Sequence, residues 1–285
     1  MTWFDERLYP GGAVGYTQRF EVTRVVCERT SEFQELTIFE TPVFGRVLAL
    51  GGIVQTTERD EFAYHEMLAH VPLFAHGNAK RVLIVGGGDG GALREVLRHA
   101  SVDAATLVDI DRLVVDVCRE HMPSLSDGAF DDSRAHLVIA DATRFVAQTT
   151  DRFDVVIVDS TDPLGPGEAL FTEAFYADCK RRLEPDGILV TQNGVPFLQG
   201  DELASSMRKL KNLFGDVTAY LAVVPTYVGG FMALGWASDN ANLRRQPETA
   251  IADRFVHSGI ETRYYGPAIH VAAFSLPRYI ERLTA

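Results

Sequence analysis

The fold class follows from the stretch Arg81-Val-Leu-Ile-Val-Gly-Gly-Gly-Asp-Gly-Gly91, in which an apolar strand leads directly into a glycine-rich turn. Gly86, Gly88 and Gly91 fit the G-x-G-x-x-G pattern in the expected context between a strand and a helix. Glycine allows a sharp turn and a close approach of the backbone to a ligand. The pattern leaves the ligand open, since dinucleotide enzymes and S-adenosylmethionine enzymes share it, and a glycine-rich turn without a ligand remains an alternative.

Strands and helices alternate on both sides of this turn. The apolar patterns predict strands at 82–85, 105–110, 135–139, 155–158 and 188–191, with helices near 92–99, 113–121, 144–149 and 171–183. This alternation is typical of a doubly wound parallel α/β sheet. Two later strands, at 217–224 and 231–237, are expected to close one edge.

The part of the chain before the α/β pattern has a different period. Strand-like runs at 20–28, 36–39 and 46–50 predict a small antiparallel sheet, and residues 59–76 show helical spacing. We therefore expect an N-terminal β domain at 1–60 and a catalytic domain at 61–285. No flexible linker separates them, so we expect the two to pack tightly.

Composition excludes several classes of protein. The chain has 285 residues, 46% of them hydrophobic, which is ample for a large core and too apolar for a mainly disordered protein. A net charge of −12 disfavours nucleic acid and anionic membranes as partners and favours cationic ligands, although solubility alone also explains it. The three cysteines form no CxxC motif, and neither a signal peptide nor a membrane-spanning run is apparent. A cytoplasmic protein is the expectation.

Acidic residues follow the second and third strands of the α/β pattern. Asp109 lies about 20 residues after the glycine turn, where a carboxylate typically binds ribose hydroxyls. Asp141 ends the next strand, where it can accept a hydrogen bond from an adenine amine. Either could be an ordinary exposed acid, but ligands of such sheets bind at the carboxyl ends of the strands. Together they predict an adenosine pocket.

Asp89, inside the glycine turn, indicates the charge of the ligand. A carboxylate here would repel the pyrophosphate of a dinucleotide but would attract a cationic tail. Ordinary S-adenosylmethionine carries an ammonium and a carboxylate in its tail, whereas the decarboxylated form carries only the ammonium. Asp89 therefore favours the decarboxylated donor, with helix capping as the alternative.

Two further acids follow the fourth strand, in Asp159-Ser-Thr-Asp162-Pro-Leu-Gly-Pro166. Pro163 and Pro166 stiffen this loop. One carboxylate can take a proton from an attacking amine while the second holds a remote ammonium, which is what aminopropyl transfer to a diamine requires. Capping of the turn and of the next helix is the alternative role. Tyr64, His65 and Tyr227 are candidate pocket walls, although isolated Tyr and His residues are more often part of a core.

The chain resembles the spermidine synthase family over nearly its whole length, from about residue 3 to residue 280. The matching segments are Gly52-Ile-Val-Gln-Thr-Thr-Glu-Arg-Asp-Glu-Phe-Ala-Tyr-His-Glu-Met67, Val85–Gly91 with Leu93-Arg-Glu-Val96, Asp159-Ser-Thr-Asp-Pro-Leu-Gly-Pro-Gly-Glu168, Gln192-Asn-Gly194, Pro225-Thr-Tyr227, Tyr265-Gly-Pro-Ala-Ile-His270 and Ala273-Phe-Ser-Leu-Pro277. The combination is far more specific than the glycine turn alone.

The resemblance implies a Rossmann-like methyltransferase-type domain behind a small N-terminal β domain, with no metal and no cofactor. Decarboxylated S-adenosylmethionine and putrescine would be the substrates, and the enzyme would be a homodimer or homotetramer. Asp159 would be the proton acceptor. The implied substrate-binding residues are Trp3, Tyr64, His65, Asp89, Ser160, Thr161, Asp162, Gln192 and Tyr227, with Trp3 at the far end of the diamine pocket. The implied thioadenosine-binding residues are Gln34, Gln55, Gly86, Gly88, Asp109, Ile110, Asp141, Ala142 and Pro166.

The sequence departs from the family pattern at a few positions. Asp109 stands where the family usually has Glu, and Gly51 stands where it usually has Asp. Ala140 and Ala142 replace an acid and a glycine near the expected adenine site. None of these departures removes the two acids Asp159 and Asp162.

Two other functions compete with aminopropyl transfer. One is an S-adenosylmethionine-dependent amine N-methyltransferase on the same fold, which Asp89 disfavours. The other is a non-catalytic polyamine-binding protein, which the presence of Asp159 disfavours. A nicotinamide dehydrogenase ranks below both because of Asp89. The sequence does not fix which diamine is preferred, because the preferred chain length depends on pocket depth.

Overall fold

A computed structural model describes residues 2–7, 15–163 and 165–285, without the side chain of Pro166. The chain begins with an antiparallel hairpin of β1 (Thr2–Asp5) and β2 (Arg19–Val22). A four-stranded antiparallel meander follows, formed by β3 (Arg24–Thr30), β4 (Glu35–Thr41), β5 (Gly45–Leu50) and β6 (Ile53–Thr57). The predicted antiparallel sheet is thus confirmed, but the strand expected at 20–28 is divided at Thr23, and β1 and β6 had no clear sequence signal. The domain boundary at residue 60 stays a prediction.

A seven-stranded sheet forms the centre of the second part. Its strands are β7 (Arg81–Gly86), β8 (Ala104–Asp109), β9 (Ala135–Ile139), β10 (Phe153–Asp159), β11 (Leu183–Gln192), β12 (Asp216–Ala222) and β13 (Met232–Ser238). They are ordered β12-β13-β11-β10-β7-β8-β9. The five strands β7 to β11 pair in parallel, and β13 and β12 close one edge antiparallel. The predicted parallel sheet and its closed edge are confirmed.

Helices cover both faces of this sheet. They are α1 (Glu61–His76), α2 (Gly91–Leu97), α3 (Arg112–His121), α4 (Pro123–Ser126), α5 (Ala142–Gln148), α6 (Glu173–Arg182), α7 (Gly200–Lys211), α8 (Ala241–Arg244), α9 (Glu248–Ser258), α10 (Pro267–Ala273) and α11 (Arg278–Leu283). Because strand side chains alternate between faces, Ile84 packs into one apolar core and Leu83 and Val85 into the other. Both faces are therefore buried, which explains the continuous apolar runs of the strands.

The small sheet packs tightly on the large domain. Leu36, Ile38 and Leu48 share an apolar cluster with Val114 and Val117 of α3. At the edge of this cluster, Asp111 accepts hydrogen bonds from Ser31 and Gln34. The small sheet thereby forms a wall beside the carboxyl ends of β8 and β9. No helix in the described ranges is long and apolar enough to cross a membrane.

Candidate active site

One deep pocket lies where the carboxyl ends of β7, β8, β10 and β11 meet the small sheet. Parallel strands end at the same edge, so acids that are far apart in sequence come together there. Of the predicted site residues, the pocket is lined by Gln34, Gln55, Tyr64, His65, Gly86, Gly88, Asp89, Asp109, Ile110, Asp141, Ala142, Asp159, Ser160, Thr161, Asp162, Gln192 and Tyr227. Their individual roles stay predictions. Pro166 belongs to the described backbone, but its side chain lies outside the described part of the chain.

Trp3 is not among the residues that line this pocket. In β1 neighbouring side chains point to opposite faces, and Phe4 is the one that packs inward, with its ring 4.5 Å from that of Phe39. Trp3 is consequently on the outer face, 45% exposed, with the Arg19 guanidinium 5.8 Å from its ring. Its expected place at the far end of the diamine pocket stays a prediction.

The glycine turn brings backbone close to two of the acids. A Cβ on Gly86 would lie 2.2 Å from the carbonyl oxygen of Asp159, and one on Gly88 would lie 2.7 Å from Asp109 Oδ2. Gly86 also has a φ of 79°, which strongly favours glycine. These contacts explain why both positions need glycine on structural grounds, independently of any ligand.

Asp109 and Asp141 occupy the side of the pocket next to the small sheet. Burial raises the pKa of Asp109 to about 6, although its Oδ1 accepts the Asp111 N–H at 2.8 Å. Asp141 is partly exposed and accepts hydrogen bonds from the backbone N–H and hydroxyl of Thr143, at 2.8 and 2.6 Å. Asp141 therefore caps α5 and lines the pocket at the same time. This capping role does not exclude a ligand.

The opposite side of the pocket contains the acids of the β10 loop. Tyr64 Oη donates to Asp159 Oδ1 at 2.7 Å, and burial together with the Asp89 charge raises the pKa of Asp159 to about 6. Gln192 Nε2 lies 3.4 Å from Asp162 Oδ1. Tyr227 Oη donates to the Gln55 carbonyl at 2.5 Å, and its ring packs edge-on against Tyr64. Asp159 thus has the ionisation expected of a base that is free of its proton at neutral pH.

Two buried polar atoms on this side have no hydrogen-bond partner among the described residues. They are Ser160 Oγ and Gln192 Oε1, and both residues line the pocket. A buried polar atom without a partner is costly, so these two atoms can form hydrogen bonds to polar groups of a molecule in the pocket.

Asp89 and His65 lie between the two sides. Asp89 Oδ1 accepts the Gly91 N–H at 2.7 Å, and its Oδ2 lies 3.6 Å from His65 Nε2. Burial alone would lower the pKa of His65, but the carboxylates of Asp89 and Glu61 outweigh it and raise the pKa to about 10. The pocket therefore brings the acids Asp89, Asp109 and Asp159 together with one imidazolium, a charge distribution suited to a cationic ligand.

Sequence reasoning missed Glu6. This residue is 5% exposed, lines the pocket, and accepts hydrogen bonds from the Val54 N–H and from Gln18 Nε2. Burial raises its pKa to about 7. A single Glu after a short strand gives no local signal, and only the hairpin fold brings it to the pocket.

The fold and the pocket define a class of protein: an α/β enzyme with a methyltransferase-type sheet and a deep pocket lined by acids. Comparison with known proteins narrows this class. Residues 61–247 match the spermine/spermidine synthase domain, and residues 2–58 match the spermidine synthase tetramerisation domain. The chain therefore belongs to the spermine/spermidine synthase family.

Individual relatives agree with this assignment. The chain is 54% identical over 281 residues to the polyamine aminopropyltransferase of Ruegeria sp. strain TM1040, covering 99% of this chain and 98% of the relative. It is 54% identical over 280 residues to polyamine aminopropyltransferase 1 of Pseudomonas aeruginosa PAO1, covering 98% and 96%. Two solved structures match as well. One is a spermidine synthase in complex with the transition-state analogue AdoDATO (TM-score 0.93, 39% identity, 99% and 94% coverage), and the other is the Thermotoga maritima spermidine synthase (0.92, 38%, 100% and 94%).

The chain is thus an enzyme, a polyamine aminopropyltransferase, and both the family resemblance and the fold class predicted from the sequence are confirmed. The match to the tetramerisation domain also indicates that it forms an oligomer.

Proposed function

We propose that this enzyme transfers the aminopropyl group of decarboxylated S-adenosylmethionine to putrescine, giving spermidine and methylthioadenosine. The observation that carries the proposal is the position of Asp89. Its carboxylate is buried at the pocket wall, between the nucleoside side and the base Asp159. A donor with an ammonium and no carboxylate in its tail matches this charge, whereas the tail carboxylate of ordinary S-adenosylmethionine would be repelled.

On the nucleoside side, the proposal gives Asp109 the ribose hydroxyls and Asp141 the adenine amine. Gln34, Gln55, Ile110 and Ala142 complete this wall. Asp109 is one methylene shorter than the Glu usual in the family, and its carboxylate lies close to the Gly88 backbone. Orienting the donor in this way places its reactive methylene toward the acids of the β10 loop.

On the acceptor side, Asp159 is the proton acceptor and Asp162 holds the amine that stays charged. The attacking nitrogen gives its lone pair to the methylene beside the sulfonium, and the carbon–sulfur bond breaks with its electron pair going to sulfur. Sulfur thereby becomes a neutral thioether, and the proton of the new ammonium passes to Asp159. The negative charges of Asp89, Asp159 and Asp162 hold the cationic donor and the cationic acceptor in the orientation needed for attack, and this orientation supplies much of the catalysis.

Tyr64 and Glu6 support these roles from the rim of the pocket. Burial raises the pKa of Tyr64 well above its ordinary value, so the hydroxyl keeps its proton and donates to Asp159. Glu6 adds a buried carboxyl group whose pKa Asp162 helps to raise, which suits a site for a second ammonium. A diamine is therefore favoured over a monoamine.

The remaining features of the proposal follow the family. The enzyme works without a metal or cofactor, as a homodimer or homotetramer, in the cytoplasm. Decarboxylated S-adenosylmethionine is a co-substrate that is consumed in each turnover. No groups of His, Cys, Asp and Glu suited to holding a metal occur in the described ranges.

Product analysis with an acceptor panel tests the proposal. The enzyme is incubated with decarboxylated S-adenosylmethionine and, separately, with putrescine, cadaverine, agmatine or spermidine, and the polyamines are identified by mass spectrometry. We expect putrescine to give the highest kcat/KM, with spermidine and methylthioadenosine formed in equal amounts. A higher kcat/KM with any other acceptor would overturn the choice of putrescine.

A further inference from the structure

His65 is held between two carboxylates, and this geometry fixes its protonation state. Its Nδ1 lies 2.7 Å from Glu61 Oε2, one helical turn earlier on α1, and its Nε2 faces Asp89 Oδ2. Ionised carboxylate oxygens only accept hydrogen bonds, so Nδ1 carries a proton, and the Asp89 carboxylate 3.6 Å from Nε2, at an ion-pair rather than a hydrogen-bond distance, favours a second proton there. Gly91 makes the arrangement possible, because a Cβ there would lie 2.2 Å from the ring.

Arg94 in turn holds the Glu61 carboxylate in place, an arrangement that we call the Arg94 clamp. Arg94 Nη2 donates to the same Oε2 at 2.8 Å, and Arg94 Nε donates to Glu95 Oε1 at 2.8 Å. The side chains of Glu61 and Arg94 are 9% and 15% exposed, so the contacts are largely shielded from water. Both neighbours lower the pKa of Glu61 despite its burial, which keeps the carboxylate ionised.

Charge accounting shows what Glu61 contributes. Glu61, His65 and Asp89 together carry one net negative charge at the pocket wall, and behind them Glu95 is shared by Arg94, Arg98 and His70. Without Glu61 the imidazolium would neutralise Asp89, and the wall of the pocket would have no net charge at this point. With Glu61 in place, the charge of Asp89 stays free for a cationic ligand.

We propose that Glu61, clamped by Arg94, is a positioning residue for the aminopropyl donor: it holds His65 as an imidazolium and its own carboxylate offsets that positive charge, which leaves the charge of Asp89 available to the donor's ammonium. This inference rests on the proposed function for the identity of the donor. The protonation of His65 does not depend on it, and the two parts are tested separately.

The other groups around His65 do not replace Glu61. Tyr64 contacts the ring edge-on, and Tyr227 packs on Tyr64. The pKa values of both tyrosines are raised well above the ordinary value, so both stay neutral. Asp159 lies beyond Tyr64 and has its proton-acceptor role. Among these neighbours only Asp89 and Glu61 hydrogen-bond or ion-pair directly with the imidazole nitrogens.

The first test is histidine NMR on the full-length enzyme without substrates. Carbon-13-labelled histidine reports the protonation of each ring, and comparison with His65→Gln assigns the His65 signal. We expect the wild-type ring to stay doubly protonated to about pH 9 and the ring of Glu61→Gln to titrate about one to three units lower. A neutral His65 at pH 7 in the wild-type enzyme would overturn the proposal, even if the variant failed to fold. An unchanged titration in a folded Glu61→Gln would overturn it as well.

The second test is the donor KM as a function of pH. In Glu61→Gln we expect the ratio of variant to wild-type KM to be roughly tenfold at pH 6.5. The ratio should fall as the pH rises through the lowered His65 pKa, because the neutral ring restores the net negative charge. Glu66→Gln is the matched control, since Glu66 is buried on the same helix but accepts only the backbone N–H groups of Arg263, Tyr264 and Tyr265.

The Glu66→Gln control separates an effect of charge at His65 from a general loss of stability caused by replacing a buried carboxylate. Glu66→Gln should give a KM ratio that does not change with pH, and His65 should titrate as in the wild-type enzyme. If Glu61→Gln also gave a ratio independent of pH, Glu61 would be only a structural residue. If instead no variant used the decarboxylated donor but the NMR result held, the proposed donor would be wrong and the role of Glu61 in holding His65 would stand.

Discussion

The hydrogen bond from Tyr64 to Asp159 should control the acidic side of the pH profile. Asp159 must be unprotonated to accept a proton, so activity should fall as the pH drops through its pKa, which is about 6. The Tyr64 hydroxyl, at 2.7 Å, stabilises the ionised form and lowers this pKa. Replacing Tyr64 by Phe removes the hydroxyl and keeps the ring, so the pKa of Asp159 should rise.

The size of the shift follows from the strength of the bond. A hydrogen bond to a charged group contributes about 1.5–3 kcal/mol, and 1.36 kcal/mol corresponds to one pKa unit. Asp159 is shielded from solvent, so screening by water reduces the free energy of this hydrogen bond only slightly. We therefore expect the acidic limb to move up by about one to two units, to roughly pH 7–8. At pH 6, where half of the wild-type Asp159 is already protonated, the variant should be roughly five- to fiftyfold less active, and near pH 9 the difference should be small.

The assay is kcat/KM for the donor between pH 5 and pH 9, with saturating diamine. Tyr227→Phe is the control, because the Tyr227 hydroxyl donates to the Gln55 carbonyl rather than to Asp159. The KM of Tyr227→Phe for the acceptor can change, but the acidic limb of its pH profile should coincide with that of the wild-type enzyme. An acidic limb that does not move in Tyr64→Phe, or one that moves equally in both variants, would refute the reasoning.

Four further variants test the individual acids. Asp89→Asn should raise the KM for the decarboxylated donor, and wild-type kinetic constants would remove its assigned role. Asp109→Ala should weaken methylthioadenosine binding roughly tenfold or more, and unchanged calorimetric affinity would contradict ribose binding. Asp159→Asn should lose mainly kcat, by about 10²–10⁴-fold, and should be partly rescued at high pH, where more diamine arrives deprotonated. Asp162→Asn should raise the putrescine KM as well and should not be rescued in that way; identical pH profiles for the two variants would reject the division of roles.

The architecture of the large domain could be predicted because its signals are local. The apolar strands, the glycine turn and the strand-end acids all lie within short stretches of sequence, and parallel pairing then brings the acids together. The prediction at 82–85 became β7, and the strands at 217–224 and 231–237 do close the sheet edge. Because Asp109 and Asp159 each end a strand, their meeting at one pocket followed from the fold class.

The parts that could not be predicted depend on contacts between distant segments. Glu6 reaches the pocket only because the N-terminal hairpin folds back, with Gln18 Nε2 bonded to the Thr226 carbonyl 208 residues away. The outward position of Trp3 also depends on such contacts, because it follows from the pairing of β1 with β2 and from the alternation of side chains along β1. The clamp on Glu61 was equally hidden, since Arg94 lies 33 residues further along the chain.

The departures from the family pattern also have physical consequences in the structure. Gly51 adopts a φ of 58° in the turn between β5 and β6, a conformation that glycine reaches more easily than aspartate does. Ala142 is nearly buried at the first position of α5, directly behind the cap Asp141. Of these two positions only Ala142 is among the described residues that line the pocket, and the two acids of the β10 loop are unchanged.

A competition between the two forms of the donor tests the central claim most directly. The enzyme is given putrescine with equal concentrations of decarboxylated and ordinary S-adenosylmethionine, and the aminopropylated and methylated amines are measured together by mass spectrometry. The account predicts spermidine and no N-methylputrescine, with at least a hundredfold preference that shrinks in Asp89→Asn, since a charged contact contributes about 1.5–3 kcal/mol and repulsion of the tail carboxylate adds to it. Methylated product, or equal use of both donors by the wild-type enzyme, would contradict it.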